Sequence, residues 1–179
     1  MAEQAISVFL MECMAKALIE LLKEKPLSAI SVTEITQKAG VSRMTFYRNY
    51  QSKEAIFWKY LDYQFECYHR EVAENGRHAS YIRYENIMLA FERIRKNADL
   101  VKCLLDNNLS SGIREKIIQN ELDLSLSSQD DVKSRYLTIA YANALYGVII
   151  AWVQNDMRDN PEELAQLICD LYQQKIRRY

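Results

Sequence analysis

Ser31-Val32-Thr33-Glu34-Ile35-Thr36-Gln37-Lys38-Ala39-Gly40-Val41-Ser42-Arg43-Met44-Thr45-Phe46-Tyr47-Arg48-Asn49 is the stretch whose reading decides the fold. Its opening has the S-x-x-E form of a capping box, in which the serine hydroxyl accepts the N3 amide and the glutamate returns to the cap amide. That predicts a short helix from Ser31. Gly40 predicts its end, because glycine takes the left-handed conformation that turns a chain sharply out of a helix. Ser42 then caps a second helix, Arg43 to Asn49. Two short helices joined by Ala39-Gly40-Val41-Ser42 have the pattern of a helix-turn-helix, whose second helix enters the DNA major groove. The small Ala39 permits close approach, Val41 fills the gap, and Ile35 with Phe46 completes a miniature core.

The faces follow from helical spacing. With Phe46 and Tyr50 pointing inward at i and i+4, the side chains Arg43, Met44, Thr45, Tyr47, Arg48 and Asn49 are left to touch DNA. Arginine donates two hydrogen bonds to guanine, threonine and methionine meet base edges or a thymine methyl, and a tyrosine hydroxyl suits a phosphate oxygen. Arg43, at the helix start, is the leading base-reading candidate. Ser42, Lys53 and Thr33 lie at or beside helix N-termini, where free backbone amides attract phosphate. From Ser31 to Lys53 the bases Lys38, Arg43, Arg48 and Lys53 oppose the single acid Glu34, a local charge of +3 in a chain of net charge -1.

Working outward, apolar residues recur at helical spacing, and only 4 glycines and 2 prolines interrupt 179 residues, so the fold class is all-α. Upstream, Ile6, Phe9, Leu10, Cys13, Met14, Ala17, Leu18, Leu21 and Leu22 form one stripe that ends near Lys25-Pro26. Downstream, Ser52 caps a helix from Lys53 toward Glu74. Further helices are expected at about Ser80 to Asn97, Leu100 to Asp106, Ser111 to Leu126 and Gln129 to Met157. A last one starts at Asn160-Pro161-Glu162-Glu163, with asparagine as cap and proline in the first turn. The expected domains are residues 1–52, a three-helix DNA-binding domain, and 53–179, a helical regulatory and dimerisation bundle.

From Ile139 to Val153 the chain is apolar on nearly every side, so a helix there must be covered all round. Asn143 and Gly147 interrupt it, and the run is shorter than the roughly 20 apolar residues of a membrane span. A twofold-related copy is the simplest cover for the side its own chain leaves open. The expected interface residues are Gly147, Ile150, Leu164, Leu167, Ile168 and Leu171. Tyr63, Tyr68, Tyr84, Phe91, Tyr141, Tyr146 and Trp152 are candidates for lining a small-molecule effector cavity, although such aromatic stripes commonly serve as plain core.

The stretch from about Ala17 to Phe57, and especially Thr33 to Glu54, resembles the N-terminal domain of TetR/AcrR-family regulators. The selective elements are the Ala-Gly-Val-Ser turn, the aromatic Tyr47, and Ser52-Lys53-Glu54 at the start of the fourth helix. Thr36 and Tyr50 depart from the family's usual alanine and phenylalanine. Tyr141-Ala142-Asn143-Ala144-Leu145-Tyr146-Gly147-Val148-Ile149-Ile150-Ala151-Trp152, followed by Pro161-Glu162-Glu163-Leu164, resembles a C-terminal domain of a subset of these regulators. The resemblance implies a homodimer, double-stranded operator DNA as partner and a repressor as the common case; it names no effector.

Rival functions have little support. The chain has no G-x-x-x-x-G-K-[ST], G-x-S-x-G or H-E-x-x-H, so no catalytic residue, cofactor or metal is assigned. Cys13, Cys67, Cys103 and Cys169 are too dispersed for a zinc site and read as free thiols. The sequence start lacks the pattern of a secretion signal, which points to the cytoplasm. An activator, or a helical protein-interaction module without a ligand, remains the alternative reading.

Overall fold

The computed structural model describes residues 2–74, 83–124 and 132–176. Among them are nine α-helices: α1 (Ala2–Leu22), α2 (Val32–Ala39), α3 (Arg43–Asn49), α4 (Glu54–Glu74), α5 (Tyr84–Lys96), α6 (Ala98–Asp106), α7 (Ser110–Leu124), α8 (Val132–Gln154) and α9 (Pro161–Ile176). A three-residue 3-10 turn, Leu27–Ala29, joins α1 to α2. The chain is all-α, as its periodicity requires, and forms two compact units, Met1–His69 and Arg70–Tyr179.

In the first unit α2 packs on α1 and on α3. Its core is Met14, Leu18, Ile30, Ile35, Phe46, Tyr50, Ile56 and Phe57, all buried. Two of these, Ile56 and Phe57, stand in the first turn of α4, which explains why the compact unit continues past residue 52, where sequence put the boundary. The division falls inside α4 instead. Thr36 replaces an expected alanine without conflict, because its hydroxyl donates to the Thr33 carbonyl at 3.0 Å.

In the second unit α8 is the central element, with α6, α7 and α9 packed on it and α5 packed on α6 and α9. Phe91 of α5 meets Trp152 of α8 edge to face at 4.9 Å. Such a pair adds a geometric preference to the burial of two large rings. The indole N–H donates to the Asp159 carbonyl at 2.9 Å, and the Arg95 guanidinium lies 5.3 Å from the ring centre. By length and composition α8, with mean hydropathy 1.5, would suffice to cross a membrane. Tyr141, Ala142, Leu145, Ile149, Trp152 and Val153 are buried among its neighbours, along one side of the helix.

Helix ends shift by a few residues from expectation. α8 stops at Gln154 rather than Met157, because Asp156 and Met157 take left-handed φ angles of 53° and 56°. The Met157 amide closes the turn on the Trp152 carbonyl at 2.8 Å, and Lys102 holds the Asp156 carboxylate at 2.7 Å. Asn160 caps α9 through the Glu162 amide at 2.9 Å. The starts expected at Ser80 and Gln129 and the end expected at Leu126 lie outside the described residues. All four cysteines are free thiols.

Candidate nucleic-acid interface

The capping box at α2 is complete. Ser31 Oγ accepts the Glu34 amide at 3.2 Å, and Glu34 Oε2 accepts the Ser31 amide at 2.9 Å and its hydroxyl at 2.8 Å. Lys25 also pairs with the Glu34 carboxylate. The Lys25 ammonium, followed by the Ser31 donors, lowers the Glu34 pKa to about 2. At the other end Gly40 adopts φ 69°, its amide reaching the Gln37 carbonyl at 3.2 Å while the Val41 amide reaches Thr36 at 2.9 Å. This crossed pair satisfies two carbonyls at the helix end and turns the chain.

Ser42 starts α3 by accepting the Thr45 amide at 3.1 Å. A helix of seven residues is too short to persist alone. Its inner side chain, Phe46, is therefore decisive: it is 2% exposed and lies 5.6 Å from the Tyr50 ring. Burial raises the Tyr50 phenol above its ordinary value, keeping it neutral. The opposite face is open. Met44 is 75% exposed and Tyr47 59%, with Arg43 and Arg48 exposed beside them. The Arg43 guanidinium lies 6.0 Å from the centre of the Tyr47 ring, a cation–π arrangement that limits where the guanidinium swings.

Other expected contacts are engaged internally. The Thr45 hydroxyl pairs with Ser42 Oγ at 2.9 Å, and Asn49 Nδ2 donates to the Thr45 carbonyl at 2.7 Å. Thr33 is half-buried, its carbonyl taken by Thr36. Lys53 is half-buried too, and its ammonium donates to the Leu27 and Ile30 carbonyls at 2.6 and 2.7 Å. Lys38 faces α1, 3.4 Å from Glu20 and 3.9 Å from Glu24. Of the four bases behind the local charge of +3, Arg43 and Arg48 are thus the two that stand outward on α3.

The other expected residues divide. Phe91 and Trp152 touch each other, Tyr141 packs against Tyr172 at 5.6 Å, and the Tyr146 hydroxyl donates to the Ser110 carbonyl at 3.3 Å. Tyr84 is half-buried at the start of α5, while Tyr63 and Tyr68 belong to α4 in the first unit. Within the second unit the aromatic residues thus make packing contacts with one another, with Tyr172 and with the Ser110 carbonyl. Gly147 is exposed, with no atom within 4 Å of a Cβ placed on it, and Leu167 and Leu171 are 49% and 47% exposed. Leu164 is half-buried. Ile150 and Ile168, expected at an interface, are instead turned into their own chain at 9% and 2% exposure. Their bulk fills the packing of α8 and α9, while the smaller Ala140, Ala144, Gly147 and Ala151 face outward.

Known proteins match on both sides of the chain. The family described as bacterial regulatory proteins, tetR family, matches residues 15–58, and a transcriptional regulator C-terminal region matches residues 84–174, more than half the chain. The HTH-type transcriptional regulator EthR of Mycobacterium tuberculosis is 48% identical over 42 residues, covering 24% of this chain and 19% of EthR. The EthR of Mycobacterium bovis matches over the same extent. The match thus spans under a fifth of the length of these curated relatives. Among solved structures, the dihydroxyacetone kinase operon activator DhaS superposes with a TM-score of 0.62 at 21% identity, covering 96% of this chain and 98% of DhaS. The fatty acid degradation regulator FadR from Bacillus halodurans gives 0.58 at 15% identity, covering 90% and 93%. A TetR transcriptional regulator from Rhodococcus sp. RHA1 gives 0.51 at 18%, covering 96% and 97%. With the capped, glycine-turned helix pair at one end and the matching C-terminal region at the other, the chain belongs to the TetR family of DNA-binding transcriptional regulators.

Proposed function

We propose that the chain acts in the cytoplasm as a homodimeric repressor that places α3 of each copy in successive major grooves of a palindromic operator. The observation that carries this reading is the division of α3: Phe46 inside, and Arg43, Met44, Tyr47 and Arg48 outside. Arg43 reads guanine, Met44 meets an apolar base edge such as the thymine methyl, and Tyr47 and Arg48 reach phosphate or bases. Thr45 and Asn49 contribute chiefly by holding the helix, since their polar groups have partners within α3 and its cap. Ser42 and Thr33 shape the two helix starts.

The second copy docks on the outward face of α8 and α9. Leu167 and Leu171 supply its apolar surface, and Ala140, Ala144, Gly147 and Ala151 let two backbones come close. The dimer sets the two α3 helices roughly 34–36 Å apart along the duplex. Control by a small molecule belongs to the same proposal: an effector held by the second unit shifts the separation of the DNA-reading heads, and DNA must alter effector affinity by the same factor.

Selection of duplexes from a random pool by the full-length chain tests the reading. An enriched inverted repeat supports it, with half-site spacing near one helical turn or a related value. Enrichment of no sequence overturns it. Mapping the selected repeat relative to promoters then separates repression, by overlap with the polymerase site, from activation.

A further inference from the structure

Arg43 and Arg48 stand outward on α3, and α4 brings a third cation beside them. Lys59 lies in the second turn of α4 and is exposed. Its ammonium stands 5.3 Å from the centre of the Tyr50 ring, the separation of a cation–π contact. Among the described residues no carboxylate pairs with it. Tyr50 closes α3: its amide donates to the Phe46 carbonyl at 2.9 Å, and its ring lies 5.6 Å from that of Phe46, which meets Tyr47 edge to face at 5.3 Å. At 7% exposure Tyr50 is a fixed platform, and it holds the flexible lysine stem at the C-terminal end of α3.

We propose that Lys59 contacts a phosphate of the bound duplex, extending the DNA-binding surface from α3 onto the second turn of α4; the inference rests on the DNA-binding reading of α3. A helix lying in the major groove has a phosphate strand along each wall of the groove, and a cation at the end of that helix stands next to one of them. Lysine suits the task, being a compact point charge on a flexible stem. Leaving the Tyr50 face costs little, because cation–π contacts at exposed sites are weak, and a phosphate oxygen returns charge-assisted hydrogen bonds. Lys25 and Lys38 are placed differently: each would first have to leave a carboxylate, Glu34 for the one and Glu20 for the other. Lys59 has no such ion pair to break. Its contact supplies affinity and register without reading bases, since phosphates carry no sequence information.

Salt dependence reads the contact directly, because each phosphate neutralised by a protein cation contributes about 0.9 to the slope of log affinity against log salt. The full chain and its Lys59→Gln, Lys59→Arg and Lys96→Gln variants are titrated with the selected duplex and with a scrambled duplex of equal length, across a series of salt concentrations. Lys96, exposed on α5 in the second unit, controls for the loss of one positive charge. Lys59→Gln is expected to make the slope shallower by about 0.9 per copy and to weaken both duplexes several-fold by the same factor. Lys59→Arg, which keeps the charge, should retain the wild-type slope, as should Lys96→Gln. An unchanged slope in Lys59→Gln overturns the proposal. So does a loss confined to the selected duplex, which would assign Lys59 to base reading, or an equal fall in slope for Lys96→Gln, which would assign the effect to net charge. A wild type that binds DNA but selects no sequence overturns the operator reading alone, since the slopes on scrambled DNA still decide the Lys59 contact. A wild type that binds neither duplex overturns both.

Discussion

Replacement of Gly40 by alanine isolates the torsional demand of the turn between α2 and α3. Gly40 sits at φ 69°, and a Cβ built there has nothing within 4 Å. Steric collision therefore drops out, leaving the left-handed backbone penalty of about 1–2 kcal/mol for an ordinary L-residue. Alanine also reduces the freedom of the unfolded chain, which offsets about 0.4–1 kcal/mol. The net loss should be about 1 kcal/mol, measured as the shift in free energy of urea unfolding followed by circular dichroism. Leucine or lysine at the same position should cost about as much as alanine, since the space is open, whereas asparagine, which tolerates left-handed φ, should cost markedly less. A loss that grows steadily from alanine to leucine would reveal a wall the structure does not contain. A gain with alanine would mean that the turn is not left-handed, and the reasoning would fail at its first step.

Three further outcomes are expected. Arg43→Ala should weaken binding to the selected duplex by about 1–3 kcal/mol and relax the preference at one base of each half-site, with equal loss on all sequences as the contrary result. Leu167→Glu combined with Leu171→Glu should shift the sedimenting mass from about 42 kDa to the 21.0 kDa of one chain while helicity is kept; an unchanged mass would place the interface elsewhere. Burial pushes the Glu121 carboxyl up to about 7, against 4.5 for a solvent-exposed glutamate, with a hydrogen bond from Asn120 opposing. The folded state therefore binds the proton more tightly, and this group's contribution to stability declines as pH rises from 4.5 to 7. Glu121→Gln should raise the unfolding temperature relative to wild type above neutral pH, with the advantage shrinking toward the acid side; a difference independent of pH would contradict the assignment.

What could be read from sequence here was what is encoded locally. Ser31 with Glu34, Gly40 and Ser42 act on amides and carbonyls a few residues away, so the two helices and their turn were legible to the residue. Phe46 and Tyr50 followed from spacing alone. Lys38 and Lys53 were not legible as structural residues, because their partners are acids on and just past α1 and carbonyls more than twenty residues away. A backbone carbonyl leaves no trace in residue type. For α8 the difficulty was different: a helix apolar all round gives periodicity nothing to distinguish, so Ile150 was indistinguishable from Gly147. Packing resolved the faces, with Ala142, Leu145, Ile149 and Trp152 inward and Ala144, Gly147 and Ala151 outward. The C-terminal end of α8 was missed where Asp156 and Met157 adopt a left-handed turn.

The separation of tasks within α3 has an evolutionary consequence. Ile35, Phe46 and Tyr50 frame the helix from behind, and none of Arg43, Met44, Tyr47 or Arg48 belongs to that frame. Exposed positions accept most exchanges with little effect on folding. Under the proposed operator reading, a descendant of this chain can therefore be re-addressed to a new promoter by exchanging those four side chains, one at a time, while every intermediate keeps a folded head.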